Sequence, residues 1–272
     1  MIGFGPHYAT SSRVSVRANR VIKKVPCSCF DRELCLSRTG YILGRECGLF
    51  RVPALIACDD RASTIEFEYV PDYLTTGHCL AENPNDKDLI ERIGSALACV
   101  HDRLQVPALL KQEIDSKWLI SAATSQPIHG DFNTANVGYS TASDEVIVLD
   151  WSGAPMFGRA VTHAPRALEI AHFISHLARR QSNIVSAVAR LRSRVESFLN
   201  GYESCSSEPV DRLLLARYLV CISDVHACTS YSTLTPLKRI YYQMTTTVAS
   251  QACKRLAASW CEKGCIPGNT VP

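Results

Sequence analysis

Residues 127–151 read P-I-H-G-D-F-N-T-A-N-V-G-Y-S-T-A-S-D-E-V-I-V-L-D-W and set Asp131, Asn136 and Asp150 at successive offsets of five and fourteen. The apolar run Val146 to Leu149, entered from Ser143-Asp144 and ended by Asp150, predicts a buried strand that delivers a carboxylate at its C-terminal end. Asp131 and Asn136 are expected on the polar loop feeding that strand. Two carboxylates and one amide oxygen are hard ligands. Converging from a loop and a strand end, they suit Mg²⁺, which prefers oxygen and keeps several waters and substrate phosphates in its shell. The stretch therefore points to a metal-bridged phosphate site.

The order H-x-D-x-x-x-x-N followed by a strand-terminal Asp is also that of the kinase catalytic loop and metal aspartate. Written H-G-D-x-x-x-x-N with D-W in place of D-F-G, it resembles the aminoglycoside phosphotransferase and choline kinase-like family of small-molecule kinases. The resemblance implies an α+β, bilobal, protein-kinase-like fold, with a small, mainly antiparallel β lobe carrying one helix and a larger, mainly helical lobe. It implies ATP as the cofactor, with GTP left open, together with Mg²⁺. Asp131 becomes the base that accepts the substrate hydroxyl proton, Asn136 and Asp150 become the metal ligands, and His129 orients the loop. As an ordinary loop and strand end, HGD and LDW would each be weak signals; in this order and spacing they are not.

Length and composition set the frame. The chain has 272 residues, 46% of them apolar and 20% charged, enough for one large domain or two lobes sharing a cleft. No apolar run approaches the roughly 18 residues of a membrane-spanning helix, and the opening residues lack the apolar core of a signal peptide, so cytoplasm is the expected compartment. The thirteen cysteines are scattered, with Cys27-x-Cys29 and Cys261-x-x-x-Cys265 the close pairs, and read as reduced thiols packed as small hydrophobes. A net charge of +3 without a basic tract interleaved with aromatics excludes nucleic acid as an expected partner, and no membrane partner is expected either.

Residues 1–70 are expected to form the sheet-rich lobe. Arg13 to Ala18 alternates apolar and polar, Asn19 offers a turn, and Arg20 to Val25 continues as R-V-I-K-K-V, a hairpin pattern. Its second strand is similar to the V-A-I-K strand whose lysine holds the nucleotide phosphates. Lys23 and Lys24 point to opposite faces; Lys23 keeps the apolar-x-Lys spacing, with Lys24 the alternative. A helix is read over Phe30 to Glu46, interrupted or ended near Gly40. The resemblance asks it for a glutamate to pair with the lysine: Glu33, or Glu46. Strands follow at Arg51 to Asp59 and Ser63 to Val70 around the turn D-D-R-A. The second ends in E-Y-V-P, similar to the family's hinge, so Glu68, Tyr69 and Val70 are expected to line the nucleotide site through main-chain atoms. Gly3-Phe-Gly5 only poorly echoes a phosphate-covering glycine loop, and Tyr8 to Ser12 offers a substitute.

Residues 71–82 read as a hinge or linker and 83–272 as the helical lobe with the catalytic loop and acceptor site. Asn85 or Asp86 is expected to cap a core helix running to His101, with His101 a structural helix-end residue. Glu169, His172 and His176 share a helix face; with no glutamate set as in H-E-x-x-H, packing is preferred to zinc. A helix is expected from Asn183 to Leu199, ended by N-G-Y at 200–202, another from Asp211 to Cys228, where Arg217, Asp224 and His226 could reach a pocket, and a partly buried cluster at Ile240-Tyr241-Tyr242. From Ser152 onward there are fourteen Lys and Arg against seven Asp and Glu. A polycation needs an excess of carboxylates, so this balance favours a neutral or anionic hydroxyl compound, such as a sugar or polar alcohol, as the acceptor. Alternatives are an aminoglycoside kinase and a nucleotide-binding pseudokinase scaffold. A protein kinase is disfavoured by D-W-S and by Ala164-Pro165-Arg166, which lacks the glutamate of A-P-E.

Overall fold

A computed structural model describes residues 13–17, 19–120, 123–151, 157, 161–179, 184–227 and 235–264. Gly3, Gly5, the segment Tyr8 to Ser12 and the C-terminal G-N-T-V-P lie outside the described residues.

The first sheet grows from the expected hairpin. Strands β1 (Arg13–Arg17) and β2 (Arg20–Lys24) pair antiparallel, and Asn19 between them takes φ 61, a left-handed conformation that Asn tolerates better than most residues. With β3 (Leu55–Asp59) and β4 (Thr64–Glu68) the sheet order is β1-β2-β4-β3, and Lys23 stands opposite Ile65. One face packs on helix α1 (Cys27–Cys47), where Val25, Phe30 and Ile65 form a small apolar cluster. The predicted break at Gly40 does not occur: α1 runs through it and ends at Gly48, φ 67, whose N–H returns to the Gly44 carbonyl. Gly40 is small for another reason. A β-carbon there would stand 2.3 Å from the indole of Trp151.

The stretch 71–82, expected to be a linker, is ordered as strand β5 (Tyr73–Thr75) and helix α2 (Thr76–Glu82). Strand β5 joins β7 (Val137–Ser140) and β8 (Glu145–Val148) in a second antiparallel sheet. The loop bearing Asp131 and Asn136 thus feeds β7, and a β7–β8 hairpin carries the chain to Asp150. Short strands β6 (Gln126–Pro127) and β9 (His163–Ala164) pair on the far side of the loop.

The remainder is helical. Helix α3 (Lys87–Arg103) is capped by Asp86, whose side chain accepts from Leu89 N–H, settling the choice against Asn85. Helix α4 (Arg166–Arg179) is buried along most of its length. The single helix expected from Asn183 to Leu199 is two, α5 (Ile184–Ala189) and α6 (Leu191–Cys205), and α6 continues through the N-G-Y stretch instead of stopping there. A β-carbon on Gly201 would meet the Glu91 carbonyl at 1.9 Å, and one on Gly94 the Phe198 carbonyl at 2.1 Å. These glycines let α3 and α6 touch backbone to backbone, which propensity alone reads as a helix end. Helices α7 (Arg212–Ala227) and α8 (Pro236–Gly264) close the core. Of the cluster expected to be partly buried, Ile240 and Tyr241 are exposed and Tyr242 is half-buried; Arg217 and Asp224 face solvent while His226 is buried. The described cysteines are free thiols, and among the described residues no helix is long and apolar enough to cross a membrane.

Candidate active site

The site lies where β2, α1 and the β7–β8 hairpin meet. Alternation along β2 turns Lys23 inward, 9% exposed, while Lys24 faces solvent. Glu33 on α1 is 3% exposed and ion-paired with Lys23, whose Nζ also lies 2.8 Å from Asp150 Oδ1. Glu46 instead faces Arg103 on the surface at 3.8 Å. Burial alone would lower the Lys23 pKa, but the charges of Asp150 and Glu33 outweigh it and hold the ammonium above its ordinary value. Asp150 is reached in a left-handed turn, φ 56, that swings its carboxylate out of the β8 line toward the lysine. Trp151 follows, its ring 4.4 Å from that of His129 and 6.3 Å from that of Phe50, and it fills the notch at Gly40. One indole therefore couples α1, the Asp131 loop and the strand end.

The loop around Asp131 is held by a dense set of hydrogen bonds. Asn136 Nδ2 donates to Asp131 Oδ2 at 2.8 Å and to its carbonyl at 3.1 Å. Asn133, absent from the residues read in the sequence, donates to Asp131 Oδ1 at 2.8 Å, while its own oxygen accepts from Ala135 and Asn136 N–H. That is an Asx turn, and the N-x-x-N spacing was its only sequence signal. Burial first, and then the neighbouring Asp150 charge, push the Asp131 carboxyl up to about 8 despite the two amide donors. Leu149 N–H bonds the Asn136 carbonyl at 2.8 Å and so clamps the two metal-ligand candidates' segments together.

His129 accepts from Asp131 N–H at Nδ1, 3.1 Å, which places its proton on Nε2, 3.0 Å from the Leu149 carbonyl. Burial lowers its pKa, in keeping with a neutral ring. Behind it stands Glu169, which sequence reading assigned to helix packing. It is 1% exposed and accepts from His129 N–H at Oε2, 3.1 Å, and from Gly130 N–H at Oε1, 2.6 Å, while His101 Nε2 bonds Oε2 as well at 3.0 Å and is itself held by Tyr202. Burial opposes ionisation of Glu169, but His101, His129 and the Gly130 amide prevail and its pKa is lowered. The His101 at the end of α3 thus positions the loop at second hand.

At the strand end read as a hinge, Glu68 N–H bonds the Ala54 carbonyl at 2.8 Å and Tyr69 N–H the Asn19 carbonyl at 3.3 Å, while Val70 accepts from Tyr73 N–H. The Glu68 side chain pairs with Arg51 and turns toward a cavity of about 370 Å³ behind the strand, lined by Tyr41, Arg45, Arg51 and Arg92 among others. Two of the three amides expected at a nucleotide edge are therefore engaged within the protein.

No protein-family model matches the chain, and no curated protein matches it. Solved structures do. A choline kinase from Streptococcus pneumoniae aligns over 93% of this chain and 89% of its own with TM-score 0.51 at 13% identity. A glucosamine kinase in complex with glucosamine, ADP and inorganic phosphate aligns over 94% and 82% with TM-score 0.57 at 14% identity. The chain has a protein-kinase-like fold. A choline/ethanolamine kinase family protein from Mesorhizobium loti, TM-score 0.53 at 8% identity over 90% of both chains, shares this kinase fold as well. Within the kinase fold, Lys23, Glu33, Asp131, Asn136 and Asp150 are gathered from three separate stretches of sequence into one place.

Proposed function

We propose that the protein is a phosphotransferase that moves the γ-phosphoryl group of ATP to a hydroxyl of a small molecule. One observation carries this reading: Lys23 is joined at once to Glu33 and to Asp150, with the Asp131–Asn136 loop clamped beside them. Residues 1–70 would form the nucleotide lobe, 71–82 the ordered connection, and 83–272 the acceptor lobe.

Mg²⁺ fits the donors. Asn136, whose nitrogen is committed to Asp131, presents oxygen as its remaining ligand atom, and Asp150 adds a carboxylate. When bound, the cation would neutralise charge on the phosphates. Lys23 would neutralise them from the other side, held by Glu33 against swinging away. Asp131, raised toward neutral pH by burial, would take the hydroxyl proton, and His129 with Glu169 would fix the loop. Positioning and electrostatics then supply most of the acceleration. The adenine contact falls to Val70, since the Glu68 and Tyr69 amides are used internally.

The acceptor is a neutral or anionic hydroxyl compound. The two-to-one basic excess after Trp151 supports this. The choline, ethanolamine and glucosamine kinases with the same fold make those three cationic compounds the ones to try beside a neutral sugar, and turnover of the cations alone would overturn the charge argument. Thermal unfolding with and without Mg·ATP, followed by ADP release on those compounds, tests the reading. Nucleotide-dependent stabilisation with turnover supports it; neither effect at millimolar nucleotide refutes it.

A further inference from the structure

Beyond Asp131 lies a buried histidine pair that the reaction above does not use. His172 and His176, one turn apart on α4, bring their Nε2 atoms to 3.1 Å. A hydrogen bond between two imidazole nitrogens needs one donor and one acceptor, so the neutral pair shares a single proton along that line. The His172 ring is held edge to face by Phe157 at 4.9 Å, and Ser175 Oγ donates to the His172 carbonyl at 2.8 Å. Behind the pair, the His226 ring stands 5.9 Å from that of His176 and bonds Arg179 at 3.1 Å. This assembly aims His172 Nε2 at Asp131 Oδ1, 4.0 Å away. That distance is too long for a hydrogen bond, yet it suits two atoms that both bond a third, since an oxygen about 2.8 Å from each fits between them.

We propose that this gap seats the acceptor hydroxyl and that His172, steadied by His176, contacts it. The inference rests on the phosphoryl-transfer reading. The hydroxyl donates its proton to Asp131 Oδ1 while its oxygen accepts from His172 Nε2–H, which carries the proton of the pair and shares it between His176 Nε2 and the hydroxyl in a three-centre bond; one oxygen lone pair is left aimed at phosphorus. As that oxygen bonds the γ-phosphorus, the bond to the β,γ-bridging oxygen breaks, ADP departs with the electron pair, and the hydroxyl proton passes to Asp131. An ammonium group in the gap would set donor against donor. The site therefore selects an alcohol over an amine, even in a compound that carries both.

The test uses His172→Leu, His172→Gln, His172→Asn and His176→Leu in the full chain. ADP release is followed from Mg·ATP with water alone, then with choline, ethanolamine or glucosamine. Gln places an amide N–H near the position of Nε2, whereas Asn places one near Nδ1. His172→Leu and His172→Asn should lose about 10- to 100-fold in kcat/KM for the acceptor, as expected for a misplaced reacting group. His172→Gln should recover most of it, His176→Leu should lose less, and stabilisation by Mg·ATP should stay at the wild-type value throughout. Should His172→Leu fail to fold, the contrast between Gln and Asn decides. Leu and Asn variants within twofold of wild type, or a Gln variant no better than Asn, would overturn the inference alone. Wild-type protein that neither gains stability from Mg·ATP nor releases ADP would overturn the phosphoryl-transfer reading and the inference with it.

Discussion

Asp131 and Asp150 are neighbouring carboxylates that the fold treats in opposite ways. Asp150 stands in a salt bridge with Lys23, which is itself shared with Glu33, at the exposed side of the site. Asp131 is buried, held by the amides of Asn133 and Asn136 and by no cation at hydrogen-bond distance among the described residues, and it is pushed up to about 8. A carboxylate beside an ammonium suits the part of a ligand, whereas one poised near neutral pH can take up a proton. If Asp150 is the ligand and Asp131 the base, as proposed, the difference in partners is a division of labour that the motif alone does not show.

The most severe way to break that division is to remove the base. Asp131→Ala should lower kcat by about 10² to 10⁴ while leaving the Mg·ATP dissociation constant within a few-fold of wild type, as measured by ADP release and calorimetry. Equal loss of nucleotide binding would erase the distinction between the two carboxylates. A pH titration sharpens it. Because the folded-state pKa of Asp131 lies above its unfolded value of 3.8, the native protein binds more protons than the unfolded chain between that value and about 8. Stability should therefore fall with rising pH across this window, and Asp131→Asn should flatten the slope in urea melts. An unchanged slope would mean that the carboxyl titrates in its ordinary range.

Next in size is the support behind the base. Glu169 accepts from two loop amides and from His101, all in the interior. Glu169→Ala would leave those donors unpaired and should cost about 3–5 kcal/mol, as for other broken buried pairs. At about 2–4 °C per kcal/mol for a chain of this size, the unfolding midpoint should drop by roughly 10 °C. A drop of under about 2 °C would show that the loop holds itself through Asn133 alone.

The residues that the fold brings together were legible in the sequence where side-chain type and spacing carry them. Strand alternation set Lys23 and Lys24 on opposite faces and the apolar-x-Lys spacing favoured Lys23, while Asp131, Asn136 and Asp150 stood out by the offsets between them; the helical, strand-poor second half followed from apolar periodicity. Packing was not legible. Gly40 and Gly201 look like helix ends by propensity, yet these two and Gly94, which lies inside the expected helix, each mark a close approach by a partner distant in sequence: Trp151 at Gly40, α3 at Gly201 and α6 at Gly94. Glu169 was placed on the right helix face, but the backbone amides it holds belong to a loop forty residues earlier, and nothing in its local pattern names them. The ordered β5 and α2 were hidden because Thr, Gly and Pro content signals a linker, whereas Thr76 Oγ1 donates to the Val137 carbonyl and Gly77 N–H to that of Thr134, tying the segment to the loop.

The smallest of these effects tests the coupling between the two carboxylates. Trp151 follows Asp150 directly, rests on the ring of His129, and packs into the space left by Gly40 on the helix that carries Glu33. Gly40→Ala has two opposed consequences. Alanine favours the helix by about 1 kcal/mol over glycine in an exposed interior position. Its β-carbon would however sit 2.3 Å from the indole, and such overpacking costs about 1–3 kcal/mol because ring or helix must move. The net loss of stability should be modest, about 1–2 kcal/mol by urea denaturation. Displacement of the indole shifts α1 and the Asp150 strand end, and so bears on the Lys23 bridge before it bears on the Asn133 and Asn136 amides around Asp131. Gly40→Ala should therefore raise KM for Mg·ATP by several-fold while the acid limb attributed to Asp131 keeps its position in the pH–rate profile. If both move together, the two carboxylates form one mechanical unit; if only the nucleotide term moves, the Trp151 contact belongs to the Lys23 side alone.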